Sequence, residues 1–196
     1  MQIIPLYIAK ELEFNDDLPR LIIDSEKILD NDILVIAQKI ISKQEGRIVE
    51  LSSVVPSLLA EGIGSEYKKD SRIIELILNE SKRIIRMAHG IIIVETNNGF
   101  ICANAGIDES NVKHGFVTLL PLNSDVSAKN ICNEILKKTG KIVSVIISDT
   151  FGRPFRMGQT NCAIGISGMN PIIDYAGTRD MFKKPLRVTA IAIADE

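Results

Sequence analysis

The sequence predicts an α/β fold, mixed in the α+β sense and confined to one domain over residues 1–196. Three observations lead to it. A capped amphipathic helix, "SDVSAKNICNEILKKTG", runs straight into the apolar β-branched strand "KIVSVII", a helix-to-strand unit of an α/β or α+β layer. "GIIIVET" and "GFICANA" flank Thr96, Asn97, Asn98 and Gly99 and predict an antiparallel hairpin with an Asn-Gly turn. No repeat or low-complexity linker divides the chain, so a single cooperative unit is expected.

Taken in order, "QIIPLYI" reads as an opening strand, at an edge or kinked because Pro5 lacks an N–H. "DILVIA", Asp32 to Ala37, is a compact buried-strand run, and "QKIISKQEGRIVEL" continues it into a polar turn. "PSLLAEGIGSEYKKD" is weakly helical. Asp70 then caps "SRIIELILNESKR", whose Ile73, Ile74, Ile77, Leu78 and Ser81 share an inward face. In the helix from Ser124, that serine caps, and Ala128, Ile131, Cys132, Ile135 and Leu136 form the stripe. Lys137 and Lys138 meet the negative end, and Gly140 stops it. Asp149 and Thr150 fall at the carboxyl end of the following strand, where sites gather in such layers. The closing "LRVTAIAIADE" alternates like a strand.

Composition bounds the function. A net charge of -2 gives no basic stripe of the kind nucleic acid demands, although phosphates can still be held locally. The three cysteines, Cys102, Cys132 and Cys162, are widely spaced without a C-x-x-C pair, which fits a reducing cytoplasm rather than a disulfide framework or a zinc site. Cys132 reads as a core residue of its helix, and Cys102 and Cys162 as packed. No apolar run approaches the ~20 residues of a membrane helix and no leader opens the chain, so no membrane or export is expected. Neither G-x-x-x-x-G-K-[ST] nor a strand-linked G-x-G-x-x-G occurs, and His89 and His114 lack metal or nucleophile spacing.

The residues that carry chemistry are acids and bases near turns. Asp149, with Thr150 beside it, suits a hard cation such as magnesium or manganese. Arg153 and Arg156, in "SDTFGRPFRMGQTNCAIGISG", favour a site that handles anions, because guanidinium forks pair with carboxylates and phosphates. Asp108, in "ANAGIDESN", reads equally as a ligand, with the Asn111 amide three residues on, or as a solvated acid after an Ala105-Gly106 turn. Lys43 and Lys39 could meet a nucleotide, yet by residue type alone "ISKQEGR" is better read as a solvated turn. Metal-gathering acids with anion-holding bases suit phosphoryl or acyl-phosphate chemistry, where positioning and charge neutralisation dominate.

The phrases "ISKQEGR", "VETNNGFICANAGIDESNV", "SDTFGRPFRMGQTNCAIGISG" and the closing "ADE" together resemble the coenzyme F420-0:L-glutamate ligase family, the γ-glutamyl ligases of deazaflavin cofactor biosynthesis. The resemblance runs from about residue 4 to the end. It implies a family-specific α/β fold that is neither P-loop nor Rossmann, and a cytoplasmic homodimer. The implied reaction is GTP-dependent: L-glutamate is added to coenzyme F420-0 through an acyl phosphate, with GDP and phosphate released. A divalent metal (magnesium or manganese) and potassium would be needed. Carried onto this chain, it makes Asp108 and Asp149 ligands of one divalent ion and Thr150 a ligand of a second. Asn111, Lys43, Gln38, Lys39 and the segment Tyr7, Ile8, Ala9 and Lys10 would contact GTP. The resemblance assigns no catalytic side chain; from their residue type alone, Arg153 and Arg156 are the candidates, to hold the acceptor's carboxylate or phosphodiester.

Two departures from the family pattern stand out. Relatives carry Gly and Pro ahead of "GDDL", where this chain has "YIAKELEFNDDL", so no glycine brings the backbone close to phosphate there. The family also continues past "ADE" with a Gly-rich segment that completes the nucleotide pocket and adds a metal ligand, a C-terminal segment this chain is expected to lack. Two other readings follow: a paralogue that binds F420-type ligand or nucleotide without ligating, and a metal-dependent phosphohydrolase.

Overall fold

The computed structural model describes residues 2–196. Its helices are α1 (Leu18–Ser25), α2 (Gln38–Gln44), α3 (Leu58–Tyr67), α4 (Ser71–Asn79) and α5 (Ser124–Thr139). Its strands are β1 (Ile33–Ala37), β2 (Ile48–Glu50), β3 (Ser81–Ala88), β4 (Ile91–Thr96), β5 (Ile101–Ala103), β6 (Phe116–Thr118), β7 (Ser144–Gly152), β8 (Gln159–Ser167), β9 (Ile173–Asp174) and β10 (Ala190–Ile191). They form small sheets ordered β1-β7-β8, β3-β4-β5, β2-β6 and β10-β9.

The first of these sheets frames the site. β1 runs parallel to β7 from Ile33–Ser144 to Ala37–Ser148, and β8 returns antiparallel along β7. Leu34 and Ile36 of β1, Val145 and Ile147 of β7 and Ile164 of β8 face α1 and α5, where Leu18, Ile22, Ala128, Ile131 and Ile135 complete the main core. Full burial of such side chains stabilises by about 1.5–3 kcal/mol each. A second core lies between α3, α4 and β4, through Ala60, Ile63, Ile74, Ile77, Ile92 and Val94. A third, of Leu51, Leu76, Val117 and Leu119, joins it to β2 and β6.

Polar links tie these cores together. Arg47 donates to Glu80 Oε2 at 2.7 Å and to the Leu120 carbonyl at 2.9 Å, joining the chain after α2 to the end of α4. The start of α5 presses on β8 so closely that Gly165 has no room for a Cβ.

Several expectations are met. The hairpin is β4–β5, antiparallel, and Asp70 caps α4 by accepting from the Arg72 N–H. On α4, Ile74 and Ile77 are fully buried and Ile73 and Leu78 half-buried, but the helix ends at Asn79, short of the expected Arg83, and Ser81 belongs to β3 rather than to the helix face. Gly140 ends α5 in the left-handed conformation, φ 72°.

Others are corrected. The opening run forms no strand: Ile3 and Tyr7 are more than four-fifths exposed, and with no partner ladder and little burial nothing holds it extended. The expected polar turn after β1 is the helix α2, which buries Ile41, Ser42 and Lys43 before the chain turns at Gly46. β1 itself is buried on one face only, with Ile33 and Val35 exposed. Asn123, not Ser124, caps α5, its side chain accepting from the Val126 N–H at 3.1 Å. Leu136 is 45% exposed because steps of about 100° per residue carry it off the Ala128–Ile131–Ile135 stripe. The closing segment keeps only β10 as strand, and Asp195 then accepts from the Ala163 N–H of β8 at 2.7 Å.

Candidate functional site

The parallel pairing of β1 with β7 stops at Ala37–Ser148. There β1 breaks directly into α2, while β7 continues alone with β8 to Gly152. Asp149 and Thr150 are therefore not at the strand's end, as expected, but inside a longer β-ribbon, one and two residues past the end of the parallel pair. The crevice so created is a cavity of about 810 Å³. Its walls come from β1 and α2 (Val35, Ala37, Gln38, Lys39), the turn after β5 (Ala103, Asn104, Gly106, Ile107, Asp108), Ser110 and Asn111. The ribbon supplies Ser148, Asp149, Thr150, Phe151, Gly152, Gln159 and Asn161.

Asp108 is placed by its backbone. It exchanges hydrogen bonds with Thr118 of β6, whose hydroxyl also donates to the Asp108 carbonyl. Its carboxylate accepts from Lys39 Nζ at 2.6 Å, from the Ser110 N–H at 2.7 Å and from the Ser110 hydroxyl at 2.9 Å. Burial pushes this carboxyl up, but those donors together outweigh it and hold Asp108 below the usual range. Asp108 is thus tied to Lys39 and Ser110 while its side chain stays 45% exposed to solvent.

Asp149 behaves oppositely. Burial comes first and the charge of Asp108 adds to it, so its carboxyl lies above the ordinary value despite the Thr150 backbone and Lys39. Two carboxylates from distant segments thus sense each other across one cavity, with Lys39 acting on both.

The donors suit a hard cation. The cavity offers Asp108 and Asp149 carboxylates, the Thr150 hydroxyl and the Asn161 and Asn104 amides, against the single ammonium of Lys39. Among the described residues no three His, Cys, Asp or Glu side chains stand together. An ion here would thus draw its remaining ligands from water or substrate oxygens, as magnesium commonly does.

Of the other expected contacts, Gln38, Lys39 and Asn111 line the cavity. The Gln38 amide donates to the Ser42 hydroxyl and the Leu119 carbonyl, which pins α2. Asn111 takes a left-handed φ of 56°, which asparagine tolerates. Lys43 is buried and bound to Glu11 at 2.7 Å outside the lining, neither a solvated turn residue nor a cavity residue. Tyr7, Ile8, Ala9 and Lys10 are not brought to the cavity, and Lys10 pairs with Asp16 at 2.6 Å. Arg153 and Arg156 stand exposed at the tip of the β7–β8 ribbon, also outside the lining.

Asn161 and Gln159 escaped the sequence reading. In the ribbon Asn161 faces Thr150, whose hydroxyl donates to its amide oxygen at 3.1 Å. The missed signal was the ribbon itself: folding "SDTFGRPFRMGQTN" back over the turn from Arg153 to Gly158 pairs Thr150 with Asn161 and Gly152 with Gln159.

The sequence model of the F420-0:Gamma-glutamyl ligase family matches residues 8–196. The chain belongs to that family. The coenzyme F420:L-glutamate ligase of Methanothermobacter thermautotrophicus is 47% identical over 186 residues, covering 92% of this chain and 74% of its own. The proteins of the same name from Methanocaldococcus jannaschii and Methanopyrus kandleri are 46% and 38% identical, covering 86% and 100% of this chain and 68% and 77% of theirs. As an F420-0:γ-glutamyl ligase family member the chain is an enzyme of the ligase class, with the family's own mixed α/β architecture. Among the described residues no helix is long and apolar enough to cross a membrane.

Proposed function

We propose that this chain joins L-glutamate to coenzyme F420-0 at the cavity between β1, α2 and the β7–β8 ribbon, using GTP and an acyl-phosphate intermediate. The observation that carries the reading is the convergence of Asp108 and Asp149 on one cavity beside Lys39, in a chain of this family. An amide bond needs an activated carboxyl. The terminal carboxylate of F420-0 attacks the γ-phosphorus of GTP, the bond to the β,γ-bridging oxygen breaks, and GDP leaves. The glutamate amine, having lost a proton, attacks the acyl carbon, a C–N bond forms, and phosphate departs.

Asp108, Asp149 and Thr150 would hold magnesium or manganese, the Asn161 amide fixing the Thr150 hydroxyl. Those ions, with potassium, would supply neutralisation of the triphosphate and alignment of the transfer. Gln38, Lys39 and Asn111 would meet the nucleotide within the cavity. Lys43, paired with Glu11, and residues 7–10 stand outside the cavity lining and would meet the nucleotide only where it extends beyond that cavity. Arg153 or Arg156 would reach the acceptor's anionic groups from the ribbon tip. A homodimer in a reducing cytoplasm, consistent with the free Cys102, Cys132 and Cys162, completes the reading.

The test is to incubate the protein with F420-0, L-glutamate, GTP, manganese and potassium, and to follow acceptor mass and GDP together. A glutamate-sized increment matched by GDP, lost when any one component is omitted, is expected. GTP hydrolysis independent of glutamate would favour a phosphohydrolase, and F420-0 binding without an increment a binding paralogue.

A further inference from the structure

Lys39 is held as a bound cation is held. Its ammonium has three hydrogens, and three oxygens take them: Asp108 Oδ2 at 2.6 Å, Ser110 Oγ at 2.6 Å and the Ser110 carbonyl at 2.7 Å. Its side chain is only 18% exposed, and the ammonium also acts on the Asp149 carboxylate. Asp108, anchored to β6, cannot move away without breaking its backbone pair with Thr118. Lys39 is different: its four-carbon stem can turn to a new rotamer at small cost.

We infer that Lys39 is a resident counter-ion of the divalent site. It closes the oxygen cluster around Asp108 when no metal is bound, and an arriving divalent ion displaces it into the cavity, where it serves as a mobile positive charge for an anionic ligand. This rests on the reading of Asp108 and Asp149 as metal ligands. The reason for displacement is electrostatic, since an ammonium and a divalent ion cannot share one carboxylate oxygen without strong repulsion at short range. Linkage then makes the consequence reciprocal: whatever draws Lys39 away from Asp108, including a polyphosphate, tightens metal binding, and metal binding prepares Lys39 for polyphosphate. Lys43, one helical turn later on α2, is paired with Glu11 instead and takes no part.

The test is manganese binding to the protein alone, without nucleotide, followed by the paramagnetic signal of free manganese. Lys39→Met keeps the stem and removes the charge. It should bind manganese about tenfold more tightly than the wild type, within the usual range of coupling between sites. Lys137→Met, at an exposed ion pair on α5 outside the cavity, should bind as the wild type does. If Lys39→Met binds no more tightly while Asp149→Asn binds none, the counter-ion role is overturned and the metal site stands. If Asp108→Asn and Asp149→Asn both bind as the wild type does, the metal reading falls, and the inference with it. Should Lys39→Met fail to fold, the wild type decides. Under brief acetylation read by peptide mass, saturating manganese should raise modification of Lys39 and not of Lys43; an unchanged Lys39 would overturn the inference.

Discussion

A Cβ placed on Gly165 would stand 2.4 Å from the Ser124 Cβ and 2.5 Å from the Ser124 carbonyl carbon. The first turn of α5 therefore lies directly on the backbone of β8, and that contact sets the plane of the ribbon carrying Asp149, Thr150 and Asn161. Gly165→Ala should destabilise the protein by about 1–3 kcal/mol, the usual cost of overpacking. The Ser124 carbonyl group obstructs as well as its Cβ, so adding Ser124→Ala, which removes neither, should not restore stability. Urea unfolding of the single and double variants checks both statements.

The cap of α5 separates two neighbouring residues. Asn123 accepts from the Val126 N–H, whereas the Ser124 hydroxyl is buried without a hydrogen-bond partner. Asn123→Ala should cost about 1 kcal/mol. Ser124→Ala should be neutral or stabilising, since it removes an unsatisfied buried group. Thermal melts would rank them; the reverse order would restore Ser124 as the cap.

Arg47 and Glu80 form a half-buried ion pair at 2.7 Å between two of the three cores. Glu80→Ala leaves the Arg47 guanidinium without its carboxylate while Leu120 still holds it. A loss of roughly 1–3 kcal/mol in urea unfolding is expected, the range for a buried group that loses its partner. Lys137→Ala, whose pair with Glu134 is exposed, should lose less than about 0.5 kcal/mol.

Asp149 gives the pH dependence its sign. Its carboxyl is raised chiefly by burial, so the native chain binds that proton more tightly than the unfolded chain. The stability from this group is complete below the unfolded value near ~4 and is lost as pH rises through the raised native value. Metal-free Asp149→Asn should therefore melt higher than wild type at neutral pH, by roughly 2–4 °C for each kcal/mol relieved. The gap should close as pH falls to the ordinary carboxylate range; a gap that widens there would contradict the burial of this carboxylate.

Where sequence and structure agree, a local signal and a tertiary partner coincide. The β4–β5 hairpin has its Asn-Gly turn, α4 its Asp70 cap, and β7 its run of β-branched residues, so each was legible. α2 was not: seven residues are too few to display a 3.6 period, and Ala37 at its start makes no side-chain cap. β3 escaped because two register shifts break any alternation along it. α1 had readable signals in Asp17, which caps it, and Pro19 in its first turn. "QIIPLYI" shows the converse, since apolar composition without a partner strand does not make a strand. At the site, Asp108 and Asp149 were named from sequence, but their meeting depends on long-range pairing of β1 with β7 and of Asp108 with Thr118, which no local pattern encodes.

The central claim is that GTP activates the acceptor's carboxylate before glutamate attacks. It is tested most directly by labelling the terminal carboxylate of F420-0 with oxygen-18 and examining the phosphate released during ligation by mass spectrometry. Passage through an acyl phosphate transfers one labelled oxygen to each phosphate, in step with the glutamate incorporated, and that is the predicted result. Phosphate without label, its fourth oxygen coming from water, would mean that GTP is hydrolysed by water, and would contradict the account.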